Sequence, residues 1–179
     1  DRTPLLFPER KVQEYLVACT IANMLSIDHI GDDTVSNVNK FHYHDWYGGS
    51  DPTNMLRAME YMGLTEVARE GFLYWRKMQF PDGAFKMHNH PQVQYWELFG
   101  WNLWGWHGHY RLTRDRDFLG RVYPGVVAAC AWQDRETSQD PLGLWPVATI
   151  GDDAFLKNCR QTGQQFWTLA GLKYAIYLA

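Results

Sequence analysis

The chain has 179 residues, of which 46% are hydrophobic and 21% are charged, and its formal net charge at pH 7 is −3. This length and apolar content suit one folded domain with a real core and exclude a disordered tail, while the scattered lysines and arginines form no basic stripe for nucleic acid. No run approaches the roughly 18 apolar residues of a membrane span, so the sequence predicts a soluble protein without a membrane partner.

Apolar residues recur every three or four positions along nearly the whole chain, which predicts an all-α fold of six helices. Pro8 suits the first turn of the first helix, whose apolar face is expected to face the core, and Thr65 is expected to cap the third. The six helices are predicted at about residues 8–25, 51–63, 65–79, 91–112, 115–133 and 162–179.

The lengths of the connections predict where the helices meet. Short links after the second and fourth helices require two antiparallel hairpins. The other connections are long, at about residues 26–50, 80–90 and 134–160. Because helix direction alternates, these loops and the N-termini of the second, fourth and sixth helices are expected at one end, which is the predicted functional face.

The predicted fourth helix contains the segment QYWELFGWNLWGWHGHY, where one carboxylate, Glu97, lies among aromatic residues. Its apolar residues cover every side, which predicts burial in an inner layer of alternate helices. Gly100, Gly105 and Gly108 are unfavourable in a helix and are expected to permit close contact with neighbouring helices. A buried carboxylate is costly unless it is hydrogen-bonded or functional.

Acidic residues are expected to converge on the functional face. Asp51, Glu97 and the pair Asp152 and Asp153 are the candidates, and paired carboxylates in an aromatic cleft are what glycoside hydrolysis requires. Structural alternatives exist for each of them. Asp51 suits a helix cap, Glu97 suits a bond to a neighbouring helix, and the Asp pair suits a solvated loop.

Aromatic residues make up 16% of the chain, including nine tryptophans. Sugars stack their apolar faces on aromatic rings, so a cleft rich in tryptophan favours a carbohydrate ligand. Most of these rings are nevertheless expected in the core. The candidate sugar-binding residues are Asp51, Asp45, His44, Trp46, Trp96, Trp145 and His90.

Histidines and cysteines raise the question of a metal. Four histidines lie in predicted loops and could form a metal site: His42, His44, His88 and His90. Hydrogen bonding of these side chains to substrate or backbone is the favoured alternative. His107 and His109 point to different sides of a helix and cannot chelate together. The three cysteines have no CxxC spacing and are expected to be buried thiols. A mature secreted protein remains an alternative. We expect neither metal nor cofactor, and a cytoplasmic location is favoured.

Three segments resemble the six-hairpin glycosidases, the (α/α)6 toroids that include glucoamylases, bacterial trehalase-like enzymes and α-L-rhamnosidases. They are GSDPTNMLRAMEYMGLTEVAREGFLYWRKMQFPDGAF, QYWELFGWNLWGWHGHYRLTRDRDFL and LGLWPVATIGDDAFLKNCRQTGQQFWTLAGLKYAIYLA. The first is similar to the family's inner helix, hairpin and Pro-Asp-Gly turn, and the other two are similar to the next two inner helices. The resemblance covers essentially the whole chain.

The resemblance implies roles for several residues. Asp51 corresponds to a substrate-binding aspartate, although Ser50 replaces the arginine that usually precedes it. Glu97 corresponds to an aspartate that faces the sugar. In glucoamylases the general acid follows a Leu-Trp pair, but Pro146 follows it here. Gln164 and Gln165 stand where some relatives carry two acids.

Six helices in 179 residues make about half a toroid, because a closed ring of twelve would need roughly 360 residues. The sequence therefore predicts a partial glycoside hydrolase domain for oligosaccharides, completed by a further segment or by a homodimer. Glu97, Asp153 and Asp152 are the catalytic candidates, and the base of an inverting reaction is expected elsewhere. The alternatives are a non-catalytic carbohydrate-binding or assembly module and, less favoured, a helical solenoid.

Overall fold

The computed structural model describes residues 6–36, 49–86, 95–151 and 156–179. Most of these residues are helical, which confirms the all-α class, and two short strand pairs accompany the helices. The elements are α1 (Arg10–Leu25), β1 (Ile27–Ile30), β2 (Asp33–Ser36), α2 (Ser50–Tyr61), α3 (Thr65–Met78), α4 (Leu98–Thr113), α5 (Arg116–Thr137), β3 (Ala148–Gly151), β4 (Leu156–Cys159) and α6 (Thr162–Leu178).

The strands were not predicted, and they lie in two of the connections that were expected to be loops. β1 pairs antiparallel with β2, and Gly31 takes a positive φ of 62° in the turn between them. β3 pairs antiparallel with β4, with Ala148 opposite Cys159. Each strand has only four residues, too few for an alternating apolar pattern to stand out from helical spacing.

Three helix starts differ from the prediction. α1 begins at Arg10, so Pro8 precedes the Glu9 cap and does not stand in the first turn. α4 begins at Leu98 rather than near Pro91, since residues 95–97 form a turn and residues 91–94 lie outside the described part of the chain. Thr65 is the first residue of α3 and not its cap, because Leu64 occupies the cap position. At α5 the expected start holds, and the Asp115 carboxylate accepts a 2.9 Å hydrogen bond from the Phe118 amide.

The even-numbered helices form one row, in which α4 lies between α2 and α6. On one side, a Cβ at Gly105 would lie 3.1 Å from the Thr53 methyl group, and one at Gly108 would lie 2.6 Å from the Arg57 guanidinium carbon. Contacts thus advance along α2 and α4 in the same direction. The two helices are parallel.

α6 packs against the other side of α4 in the same sense. Gly100 meets the Trp167 backbone, and further along the helices the His107 ring stacks on Tyr174 with 4.8 Å between centroids. These glycine contacts confirm the predicted close approach. They also confirm that α2, α4 and α6 begin at one end of the molecule.

The odd-numbered helices α3 and α5 form a second layer and are parallel to each other. Arg69 near the start of α3 donates to Asp115 and Asp117, at 2.7 and 2.5 Å. Near the other end, the Gln79 amide donates to the Gly125 carbonyl at 3.0 Å. Short hairpin links make the two layers antiparallel, as the connection lengths predicted.

α1 departs from the expected packing, since none of its residues is buried. It contacts only α2 and β1 among the described elements, and Tyr15 on its predicted core face is 72% exposed. Cys19, Cys130 and Cys159 are free thiols of intermediate burial rather than fully buried ones. Within the described residues, no helix has the length and apolarity needed to cross a bilayer.

Replacing Gly100 with Ala is expected to lower the free energy of unfolding by about 1–3 kcal/mol, because the new methyl group would overlap the Trp167 carbonyl. Gly120→Ala in α5 is the matched control, since no atom lies within 4 Å of its Cβ position. We expect this control to be neutral or stabilising by up to about 1 kcal/mol. Urea denaturation measures both, and equal effects would contradict the close packing of α4 and α6.

Asp115→Asn is expected to reduce the acid dependence of stability. Arg69 and, next, the Phe118 amide hold the pKa of Asp115 below its usual value. The ionised Asp115 carboxylate therefore contributes its full share to the free energy of unfolding above the unfolded-state pKa of about 4. This share is lost as the pH falls through the lower folded-state pKa. Asparagine can still cap α5, so the comparison isolates the charge.

The measurement is urea denaturation between about pH 6 and pH 2.5. The stability difference between wild type and Asp115→Asn should shrink with acid, whereas the exposed control Asp134→Asn should track wild type. A constant difference across this range would contradict the assigned ion pair.

Candidate functional site

Two predicted acids lie at the end where α2, α4 and α6 begin. Asp51 is exposed in the first turn of α2, where its carboxylate accepts a 3.2 Å hydrogen bond from the Ser50 hydroxyl. Glu97 is half-buried at the N-cap position of α4, and its carbonyl accepts a 3.0 Å bond from the Trp101 amide. The parallel row brings both residues to first turns of neighbouring helices.

The other predicted loop residues are not described by the structure. His44, Asp45, Trp46, His90, Asp152 and Asp153 lie outside the described residues, as do His42 and His88. Their proposed roles stay predictions. The flanking strands β3 and β4 are described, and β4 ends only a few residues before α6 begins.

Trp96 and Trp145 lie in the core, where they form a stack. Their rings are parallel to within 12°, with centroids 4.5 Å apart, and Trp132 lies 5.0 Å from Trp145. Trp96 is 5% exposed and Trp145 is completely buried. The observed role of both rings is packing, and a sugar contact for either stays a prediction.

Trp145 is tied to α6 by polar contacts that the sequence did not reveal. Its indole donates to the Thr168 hydroxyl, and its backbone amide donates to the Gln165 side-chain oxygen at 3.3 Å. The Thr168 hydroxyl in turn donates to the Gln164 carbonyl at 2.9 Å. Gln165 therefore holds the preceding segment against the helix, at a position where the resemblance implied an acid.

Each helix of the row also carries a buried polar side chain near its start. Thr53 is completely buried in α2, and Asn102 in α4 and Gln164 in α6 are each 2% exposed. Thr53 Oγ1, Asn102 Oδ1 and both amide atoms of Gln164 have no hydrogen-bond partner among the described residues. Such groups cost about 1–3 kcal/mol each when unsatisfied, so each of the three side chains needs a partner from beyond the described residues.

Sequence reasoning missed these three side chains. Asn102 stands alone in the apolar segment LFGWNLWGW, and an isolated amide among large apolar residues is the signal that identifies it. Thr53 and Gln164 have no comparable signal, because threonine and glutamine are common in the first turns of surface helices. Only the packing shows that they are buried.

A separate ionic cluster joins α2 to α4 further along the row. Buried Arg57 donates to buried Glu60, whose other oxygen lies 2.5 Å from His109 Nδ1. Arg57 also donates to the Tyr61 hydroxyl at 3.0 Å. Arg57, Glu60 and His109 thus bond to one another across the helix interface, which gives this cluster a structural role, although Arg57 Nε and His109 Nε2 have no partner among the described residues.

Thr168→Val is expected to destabilise the fold by about 1–3 kcal/mol, because the buried Trp145 indole loses its acceptor. Thr162→Val on the exposed first turn of α6 is the control and should stay within about 0.5 kcal/mol of wild type. Denaturation followed by tryptophan fluorescence reports both effects. A Thr168 variant as stable as the control would show that the indole bond contributes nothing.

Comparisons of the chain with protein-family models, with curated proteins and with solved structures found no match. The likeness to six-hairpin glycosidases therefore stays a prediction from three sequence segments.

Proposed function

We propose that this chain is a glycoside hydrolase-like domain that binds an oligosaccharide at the end where α2, α4 and α6 begin. The observation that carries the proposal is the parallel row of these helices, which brings Asp51 and Glu97 to first turns at the same end. A second, antiparallel layer of parallel helices supports the same scaffold, because this is the arrangement that an (α/α)6 toroid implies.

The buried polar groups near the helix starts favour a ligand rich in hydroxyl groups. Thr53, Asn102 and Gln164 offer donors and acceptors without a net charge, and a sugar hydroxyl can satisfy either kind. A neutral polyol is therefore a better match than an anion or an apolar molecule. Asp51 would add a charged acceptor for sugar hydroxyls at the exposed rim.

In the complete reaction, one carboxylic acid gives its proton to the glycosidic oxygen as the bond to the anomeric carbon breaks. A carboxylate base takes a proton from water, which attacks that carbon from the opposite face and inverts its configuration. Glu97 lies at a helix N-terminus, where the charged form of a carboxylate is stabilised. This favours Asp153 or Asp152 as the acid and Glu97 as an acceptor of sugar hydroxyls, with the base supplied from outside this chain.

A non-catalytic binding or assembly module is the second candidate. It is favoured by Gln165, whose side-chain oxygen accepts a hydrogen bond from the Trp145 backbone amide at a position where the resemblance implies an acid in some members of the family. Gln164 beside it is buried and equally uncharged. Under this alternative the sugar site persists and turnover does not.

Exposed apolar residues on α1 and α6 support the proposal of a partial toroid. α2 and α6 do not contact each other in the described residues, so α6 is one end of the row, and α1 flanks α2 at the other. Phe166, Leu169 and Ile176 form an outward stripe on α6 with exposures of 66%, 63% and 78%. A patch of this kind favours completion by another segment or a second copy.

Asp51→Asn and Glu97→Gln are each expected to weaken oligosaccharide binding about tenfold, because each removes a charged hydrogen-bond acceptor. Isothermal titration against a panel of gluco-, manno- and rhamno-oligosaccharides measures the effect. Glu66→Gln is the matched control, since this exposed acid lies in the first turn of α3, at the opposite end of the molecule.

Wild-type binding that neither variant weakens would place the sugar elsewhere, and no binding to any member of the panel would contradict the proposal. Hydrolysis of aryl glycosides separates the two candidate functions. Turnover by this chain at the concentration where light scattering shows a monomer would contradict an external base.

A further inference from the structure

A groove of about 690 Å³ lies between the C-terminal halves of α4 and α6, at the opposite end from the proposed sugar site. This volume falls in the range that holds small organic ligands. Rigid helices form both walls. The polar and aromatic side chains that line the groove include Trp104, His107, Arg111 and Arg114 from α4 and its C-cap, and Lys173 and Tyr177 from α6.

The groove is strongly basic, because its lining contains three permanent cations and no acidic side chain among the described residues. Positive charge at a helix C-terminus is ordinarily favourable, and this accounts for Arg111 and Arg114 individually. It does not account for Lys173, which lies more than a turn before the end of α6 and faces the same space. Cations from two helices thus converge on one groove.

Three acids of α2 and of the start of α5 are already engaged. Asp115 and Asp117, at the start of α5, accept hydrogen bonds from Arg69 of α3. Glu60 is bonded to Arg57 and His109. The cations of the groove therefore lack a carboxylate partner among these residues, and a bound anion would supply one.

His107 provides an independent indication of a ligand. It is 8% exposed and lines the groove, and its Nδ1 atom has no hydrogen-bond partner among the described residues. Tyr174 stacks on its ring at 4.8 Å, and Tyr177 meets it edge-on at 4.5 Å. The imidazole is thereby held in one orientation beside the groove, and its Nδ1 atom is enclosed and unpartnered among the described residues.

Cations from three helices act on His107. Burial lowers its pKa below the usual value, and the charges of Arg111, Arg57 and Lys173 lower it further. These cations come from α4, α2 and α6 respectively. An anion in the groove would offset this field and favour protonation of the imidazole.

We propose that this groove binds a phosphate monoester that carries a ring, with its phosphate held by Arg111, Lys173 and His107 and its ring placed against Trp104. Two permanent cations and a protonatable imidazole match the double negative charge of a phosphate monoester better than a single carboxylate. Arg114 donates to the Tyr177 hydroxyl at 2.9 Å and fixes that side of the groove.

The test uses phenyl phosphate as the probe, with inorganic phosphate and phenol as the separate halves of the molecule. Isothermal titration should show that phenyl phosphate binds more tightly than inorganic phosphate and that phenol does not bind. Arg111 and Lys173 are exposed, so replacing either should not disturb the fold. Arg111→Gln and Lys173→Gln should each weaken the binding of phenyl phosphate about tenfold. Arg121→Gln, an exposed arginine of α5 outside the groove, should leave binding unchanged.

A second readout follows His107 directly by NMR titration of its ring protons. Its pKa should rise when phenyl phosphate is added, and Arg111→Gln should reduce that rise. The proposal is overturned if phenyl phosphate does not bind, or if inorganic phosphate binds as tightly as phenyl phosphate. It is also overturned if Arg121→Gln weakens binding as much as Arg111→Gln does, or if the pKa of His107 does not change when phenyl phosphate is added. Because this groove and the sugar site lie at opposite ends, either can fail without the other.

Discussion

The rest of the structure depends on how closely α4 approaches the two helices beside it. Gly105 and Gly108 give α2 room on one side, and Gly100 meets the α6 backbone on the other, where Gly171 also lies against it. Glycine weakens a helix locally, so these positions are favourable only because the neighbouring helices fill the space. A side chain at Gly100 would overlap the Trp167 backbone, whereas one at Gly105 or Gly108 would displace side chains of the neighbouring helices.

This packing fixes the direction of the row and thereby the location of the chemistry. Helices whose contacts advance in step along both partners share one orientation. Their starts then lie at one end, where Asp51 and Glu97 are found, while α4 and α6 line the basic groove towards the other end. One set of contacts in the middle of the molecule therefore separates the proposed sugar site from the proposed phosphate site.

Much of this fold was predictable because its determinants are local. Helical periodicity predicted the six helices, short links predicted the hairpins, and the glycines of an apolar helix predicted close contact. What escaped prediction depends on partners distant in sequence. The burial of Trp145 requires Trp96, Trp132 and Thr168 around it, and the bond between His109 and Glu60 spans 49 residues. α1 has the apolar spacing of a core helix and yet buries no residue, since periodicity shows an apolar face but not its partner.

The antiparallel relation of the two layers has an electrostatic consequence for ligand capture. Where α2, α4 and α6 begin, α3 and α5 end, so positive and negative ends of helix dipoles alternate across the surface and largely cancel at a distance. The backbone therefore contributes little long-range field there, and the aligned inner helices act only on groups within their first turn. A neutral sugar would reach this end by unassisted diffusion and be retained by short-range hydrogen bonds, at a rate nearly independent of ionic strength.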